Sequence, residues 1–351
     1  MDGSKVGANA AKERIYNEAG LERLLKRVEG AIDDLEAQNI GGEDNQPRRL
    51  PKELCHAQAL RERVKAAMAL TQSEEGPKHA NLTDSEAGYL KSRQGFIAGY
   101  NAQAIVSPLD PEKAAKPGMF ITGVAVTNKN DDHPHLLPMI EQAAENIGTM
   151  DDGNRVTLAD AGYHSGSNLE QCAQNGHQVL MPEAQESKRQ HPYHKEHFTY
   201  NADTDSYVCP QGQELTYRGI SRKKGYQARV YRAKRTVCER CPAYGICTTD
   251  GHGRSIKVGP HEETLARHRA LMGTEDAKAL YKRRRQLVEP VFGILKEQLG
   301  ARRFLLRGLA NVRSEWALIA TAFNMRSLYR AWKETHVPSG LGNMATAPAG
   351  T

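Results

Sequence analysis

The sequence has no apolar run near the 18 or so residues that a membrane-spanning helix requires. Its longest, Trp316 to Phe323, is about half that length, so a membrane is not an expected partner. The opening residues, MDGSKVGANAAKER, contain no hydrophobic segment of the kind that a secretion signal needs, and the expected location is the cytoplasm. Cysteine is sparse, with six in 351 residues. In a cytoplasmic chain such cysteines point to metal binding or buried thiols before disulfides. Internal repeats are absent. What remains is a chain with 39% hydrophobic and 26% charged residues, which fits a folded globular protein and not a disordered one. The length suffices for two ordinary domains or one large domain carrying insertions.

Most of the chain also lacks a positive surplus. Between Lys282 and Arg330 there are 11 Lys and Arg against 3 Glu, whereas the rest carries 37 basic and 39 acidic residues. The whole surplus behind the net charge of +6 therefore sits in one segment near the C-terminus. Such a patch suits a polyanion, most simply nucleic acid, or is a solvated helix face.

Leu21, Leu24, Leu25, Val28, Ile32 and Leu35 recur at helical spacing, and so do Leu54, Ala57, Leu60, Val64, Ala67 and Leu70. With the turn-rich QNIGGEDNQPRRLP between them, they predict an antiparallel helical hairpin. After Gly95 the pattern changes. YNAQAIVS and MFITGVAVTN read as paired strands joined by PLDPEKAAKPG. Leu136 to Ile147 reads as a helix opened by Asp131, Asp132 and Pro134, with His133 and His135 serving that helix start. VTLADAGY is a strand, Ser167 and Glu170 form a capping box for a short helix ended by Gly176, and QVLMPE is a further strand. This order predicts an α/β layout on one mixed sheet. A polar region over 185–260 holds four of the six cysteines. Helices resume near Glu262. In the last of them Val312, Trp316, Ile319, Ala320, Phe323, Leu328 and Ala331 form a core stripe.

Asp160 ends the strand VTLADAGY, where functional side chains of open α/β sheets collect, beside Tyr163 and His164. Glu289 lies in YKRRRQLVEPVFGILKEQLG, with Arg285 four residues before and Lys296 seven after, on one face of a continuous helix. Leu287, Val291 and Leu295 face the core. Pro290 predicts a kink or a helix that begins near Glu289. By itself, the Arg285 and Glu289 spacing reads as an intrahelical ion pair.

Cys209, Cys238, Cys241 and Cys247 follow C-x28-C-x2-C-x5-C. Two thiolates at the spacing of Cys238 and Cys241 can share a tetrahedral Zn²⁺. Cys209-Pro-x-Gly resembles a zinc-knuckle turn, and Cys247, His252 or His261 completes the set. The reading is a structural zinc site, against buried thiols. Cys55 and Cys172 stand singly in helices and read as packing residues.

A strand-end Asp, a distant helical Glu and flanking basic residues resemble the core of DDE transposases of bacterial insertion sequences. DGSKVGANAAK, GFIAGYNAQAIV, LADAGYHS, the Cys-rich insert and RRRQLVEPVFGILKEQLGARRFLLRGLANVRSEWALIATAFNMRSL carry the resemblance over roughly residues 1–332. The family's Tyr-Arg-Glu-Lys signature has its Arg-x3-Glu-x6-Lys part here as Arg285, Glu289 and Lys296, with Tyr281 one residue farther off than that signature has it. The resemblance implies a ribonuclease-H-like mixed sheet in which Asp2, Asp160 and Glu289 hold two Mg²⁺ (or Mn²⁺) ions. It further implies that Arg285 and Lys296 grip phosphates, and that Lys282, Arg283, Arg284, Arg302, Arg303 and Arg307 bind DNA. Asp84 is the rival for the first carboxylate, although Thr83 to Glu86 reads as a local turn or cap.

The domains that follow are a remnant of the first core strand over 1–8 and a helical-hairpin insertion over 9–80. The ribonuclease-H-like core covers 81–184 and the Cys-rich, zinc-ribbon-like insertion 185–260. A C-terminal helical part of the core over 261–335 carries Glu289, and the tail over 336–351 is expected to be disordered. Because a strand ending in Asp2 needs some four to six residues before it, the sequence is expected to start late. The implied activity is metal-dependent cleavage and strand transfer at element ends, on double-stranded DNA, by a homo-oligomer associated with the bacterial nucleoid. The alternatives are an inactive remnant that only binds DNA or zinc, and an unrelated zinc-stabilised interaction protein.

Overall fold

The computed structural model describes residues 1–39, 52–73, 76–92, 95–109, 118–148, 155–183, 190–223 and 226–336. All but the first residue of the expected disordered tail, most of both turn-rich connections and the expected boundary at 184–185 lie outside the described residues. Two compact units form, Met1–Gly153 with Lys282–Thr351, and Asn154–Tyr281. No helix among the described residues is long and apolar enough to cross a membrane.

The first unit opens with β1 (Asp2–Gly7), a 3₁₀ turn at Lys12–Arg14 and β2 (Ile15–Tyr16). Then come α1 (Glu18–Asn39), α2 (Lys52–Gln72), β3 (Ala80–Asn81), β4 (Gly88–Ser92), β5 (Gly95–Pro108), β6 (Met119–Thr127) and α3 (Leu136–Ile147). α1 and α2 pack antiparallel, as their periodicity requires. Leu54 at the start of α2 meets Val28 and Ile32, while Val64 and Ala67 meet Leu21 near the start of α1. β2 and β3 pair Ile15 with Asn81 and Tyr16 with Ala80. The hairpin thus leaves and rejoins the chain at one place. Cys55 is exposed rather than packed, because it lies one residue, and so about 100° of helix, beyond the buried Leu54.

β5 is the hub of a four-stranded sheet and pairs antiparallel with β1, β4 and β6. β1 begins at Asp2 and runs forward to Gly7, against Ala104 through Gly99. Asp2 therefore heads its strand, whereas the sequence suggested that it ends one.

The second unit contains β7 (Val156–Leu158), a 3₁₀ turn at Ala161–Tyr163, α4 (Gly166–Gln174) and β8 (Gln178–Leu180). β7 and β8 are parallel and form their own two-stranded ladder. The described strands thus fall into separate sheets where one mixed sheet was expected. Only three residues of VTLADAGY are strand before the chain turns at Asp160, which leaves a short ladder. The cap of α4 is Ser165, whose hydroxyl accepts from the Asn168 amide at 3.1 Å. Ser165 has the extended backbone that a cap needs (φ −149°, ψ 153°). The expected box at Ser167 and Glu170 is thus displaced by two residues, and Glu170 pairs with His261 at 2.5 Å instead.

The Cys-rich region is far more regular than its polarity suggests. β9 (Thr199–Asn201), β10 (Ser206–Val208), β11 (Glu214–Lys223), β12 (Tyr226–Arg232) and β13 (Ser255–Val258) form an antiparallel sheet in that order, with α5 (Arg235–Glu239) between β12 and β13. Its core is Phe198, Leu215, Tyr231, Ala233, Cys238 and Ile256. α6 (Glu262–Gly273) and α7 (Glu275–Glu297) follow, and the division between the units falls within α7, after Tyr281.

From Lys282 onward α7 belongs to the first unit, which α8 (Leu309–His336) completes. α7 runs through Pro290 without a break, contrary to a helix start near Glu289. Val288, Val291, Phe292 and Leu295, all buried, pack on both sides of the proline. Burying such side chains contributes about 1.5–3 kcal/mol each, enough to offset the roughly 3 kcal/mol that an interior proline costs. Trp316 of α8 is buried against Phe292 and Phe304, and its indole N–H donates to the Gln103 carbonyl at 2.9 Å. Leu328 departs from the expected stripe and is 61% exposed, while Ser327 beside it is buried.

Candidate active site

β1 presents two faces because side chains alternate along a strand. Asp2, Ser4 and Val6 point one way. Val6 joins the core with Val288, Val291 and Leu295. Arg284 lies four, seven and eleven residues before those three and therefore on the same helical stripe. Its guanidinium meets the Asp2 carboxylate at 2.9 Å and the Met1 carbonyl at 3.4 Å. The other Asp2 oxygen accepts from the Gly3 amide at 2.8 Å. Further along the pair, the Lys296 ammonium donates to the Ser4 hydroxyl at 2.5 Å.

Gly3 and Lys5 face the other way, onto Asn101, Gln103 and Asp132. One Asp132 oxygen accepts from the Asn101 and Gln103 side-chain amides at 2.5 and 2.7 Å, with Lys5 at 3.8 Å. A Cβ on Gly3 would stand 3.2 Å from Asn101 Oδ1 and 3.4 Å from Asp132 Oδ1, so glycine allows β1 to lie against this network. Burial pushes the Lys5 ammonium below the usual lysine range, opposed by Asp132 and Asp131. Asp132 thus serves the sheet, and it is Asp131 that accepts the His133 amide at 3.1 Å and supports the turn before α3.

Glu289 is exposed on α7, with Arg285 at 4.0 Å one turn earlier. At 63% and 84% side-chain exposure this pair contributes little to stability. Asp84, the rival carboxylate, is buried, accepting the Tyr100 hydroxyl at 2.8 Å and the Gly308 amide at 3.3 Å. The expected local turn is present, with the Ala87 amide donating to the Asp84 carbonyl at 3.1 Å, and the buried Asp84 side chain ties that turn to other segments.

In the second unit, Asp160 is half-buried at the start of the turn between β7 and α4. The Tyr281 hydroxyl donates to the carbonyl of Ala159 at 3.2 Å, so it fixes the backbone immediately before Asp160. His268 is buried and bonds the Met181 carbonyl at 3.0 Å through Nε2. A carbonyl only accepts, so Nε2 carries the proton. Burial pushes this imidazole below the usual histidine range.

Of the residues expected to meet DNA, Lys282, Arg302, Arg303 and Arg307 are exposed and Arg283 is half-buried. Arg284 departs from that expectation. It is 9% exposed, because its place on the core stripe turns its charge inward to Asp2. Arg303 and Arg307 donate through Nε to the carbonyls of Ala8 and Asn9, both at 2.9 Å, and Arg302 pairs with Glu297.

Residues 208–329 match the family model of the transposase DDE domain. Over that span the chain is similar to DDE-type transposases. The match covers roughly a third of the 351 residues. No curated protein and no solved structure matches the chain.

Glu289, Arg285 and Lys296 lie inside the matched span, while Asp2 and Asp160 precede it. The matched span also contains Cys209, Cys238, Cys241 and Cys247, which together line one cavity of about 20 Å³. Cys209 follows β10, Cys238 is in α5, and the other two lie in the loop before β13. Among the described residues, no three His, Cys, Asp or Glu are already gathered so as to hold a metal ion. Cys172 is buried, as expected. His261 is engaged by Glu170.

Proposed function

We propose that the chain is an insertion-sequence transposase that cuts DNA at element ends and joins it to a target, on a ribonuclease-H-like core. The observation that carries this reading is the transposase match over 208–329, within which Glu289 stands exposed on a helix between Arg285 and Lys296. Asp2, Asp160 and Glu289 would hold the Mg²⁺ or Mn²⁺ that such chemistry uses, since three carboxylates are the hard oxygen donors these ions require. Bound there, the ions would supply acidification of the attacking hydroxyl and stabilisation of the leaving oxygen.

The chain's own residues do the rest. Tyr281 fixes the backbone at Asp160, and Arg284 neutralises and orients Asp2. Lys296, steadied by Ser4, offers a positive group to a phosphate. Lys282, Arg283, Arg285, Arg302, Arg303 and Arg307 supply sequence-independent contacts to the DNA backbone, whose strength would fall with salt. Action as a homo-oligomer in the bacterial cytoplasm belongs to the same reading.

The test is Mg²⁺-dependent nicking of duplex DNA carrying the element's ends, by the native chain and by Glu289→Ala. Loss of a carboxylate ligand should slow nicking by at least ~100-fold, above the 10–100-fold typical of residues that only support a ligand. Equal nicking by both would remove Glu289 from the site. DNA binding without any nicking by the native chain would favour an inactive binding remnant.

A further inference from the structure

We propose that Cys209, Cys238, Cys241 and Cys247 bind one Zn²⁺ as a structural tetrathiolate that ties the β10–β11 turn to the loop following α5. The four cysteines line a single cavity with room for about one water-sized occupant. The turns that carry them have the form that metal-binding thiolates use. In Cys209-Pro210-Gln211-Gly212-Gln213, the Gly212 amide donates to the Cys209 carbonyl at 2.8 Å. Gly212 then takes φ +72°, open to glycine, and the Gln213 amide is aimed at the Cys209 sulfur at 3.3 Å. On the other side, the Cys241 amide donates to the Cys238 carbonyl at 3.1 Å. The Arg254 amide is aimed at the Cys238 sulfur, again at 3.3 Å. Backbone N–H groups directed at sulfur are weak bonds to a thiol and strong ones to a thiolate.

Arg254 is the second observation. Its Nη1 and Nη2 donate to the carbonyls of Cys247 at 3.2 Å and Tyr193 at 2.8 Å. Its Nε is buried with no acceptor, and the residue lines the cysteine cavity. A buried donor and a positive charge beside four thiols fit an anionic occupant. Zinc bound by four thiolates carries a net charge of −2, and an outer-shell arginine offsets it. Each thiol gives up its proton on binding, so four protons are released per ion.

The sheet has reason to need such a tie. Its buried core is six side chains, and β9 is exposed throughout. Residues 240–254 carry no helix or strand, which is long for an irregular loop inside a small module. Small cores of this kind are commonly completed by a metal or a disulfide. Four protein thiolates leave no open coordination position, so the ion serves folding and not strand cleavage.

The full-length chain, purified under reducing conditions, should contain about one zinc per molecule by elemental analysis. Replacement by Co²⁺ should give the intense visible bands of a tetrahedral thiolate complex. Cys241→Ser should lose most of the metal, and Cys55→Ser should keep it. Removing zinc from the native chain with a strong chelator should lower its melting temperature, and re-adding zinc should restore it. This readout does not depend on any variant folding. Zinc absent both as purified and after reconstitution would overturn the proposal. So would iron in its place, zinc retained in full by Cys241→Ser, or a cobalt spectrum without thiolate character.

Discussion

Asp84 and Asp2 are both candidates for the first carboxylate by sequence, and one substitution separates them. Asp84→Ala removes a buried acceptor that holds the Tyr100 hydroxyl at 2.8 Å and the Gly308 amide at 3.3 Å. A hydrogen bond to a charged group contributes about 1.5–3 kcal/mol, and an orphaned buried donor costs about 1–3 kcal/mol. Tyr100 is fully buried, so its phenol finds no water in exchange. The longer Gly308 bond counts for less, which gives about 3–4 kcal/mol in all. For a unit of this size that corresponds to roughly 10 °C in melting temperature. Asp84→Asn, which keeps one oxygen acceptor, should lose about half as much.

The pH dependence has a defined sign. Burial, and then the bond to Asp84, push the Tyr100 hydroxyl well above the usual tyrosine range. The folded chain therefore keeps a proton that the unfolded chain sheds above pH ~10. The stability due to this group is complete below that pH and is lost as the pH rises further. Tyr100→Phe should flatten that alkaline loss. Thermal melting followed by fluorescence of Trp316, in the same core, reads all of these variants. If Asp84→Ala melts within about a degree of the native chain yet abolishes nicking, then Asp84 is the catalytic carboxylate and the structural role argued for it is wrong.

Two further outcomes concern the second unit. Tyr281→Phe deletes only the hydroxyl that holds the Ala159 carbonyl. It should cost about 1 kcal/mol of stability and slow nicking roughly 10-fold, as loss of a supporting contact does, with DNA affinity unchanged. Unaltered nicking in that variant would sever Tyr281 from the site. His268 is buried and its imidazole is held below the usual range, so the unfolded chain takes up a proton below pH ~6.5 that the folded chain resists. Its stabilising effect is complete above that pH and is lost on acidification. Comparing urea midpoints at pH 7.5 and 5 for the native chain and His268→Gln tests this, since the variant should show a shallower acid loss by about one proton.

The parts of the fold that were legible in the sequence are those where burial imposes a period. In α1 and α2, nearly every turn presents an apolar side chain to the partner helix, and the pattern alone gives the hairpin. The long β5 and β6 are equally plain, because β5 is buried along most of its length. The sheet β9–β13 was hidden for the opposite reason. It is built on a core of six side chains, and its strands carry arginine, lysine and tyrosine on an exposed face, so the residues that form it read only as a polar region. Cap placement fell to backbone geometry, with Ser165 and Ser167 nearly interchangeable by type, and only the former taking the extended conformation of a cap.

The candidate site was readable as a set of residue types but not as a set of partners. Arg285, Glu289 and Lys296 stand out by spacing, and spacing is what a helix preserves. Arg284 was grouped with its basic neighbours because a run of four cations looks like one surface. A helix turns 100° per residue, so such a run must wrap round the axis and cannot all face one ligand. Extending the apolar stripe of Val288, Val291 and Leu295 back by one turn reaches Arg284, and that single step gives the inward direction of its side chain. An arginine at a core position needs an anion, and β1 supplies Asp2, the first residue of the strand and on the same face as Val6. The pairing at 2.9 Å is therefore a consequence of two periods, 3.6 along α7 and 2 along β1, meeting where each first reaches a charge.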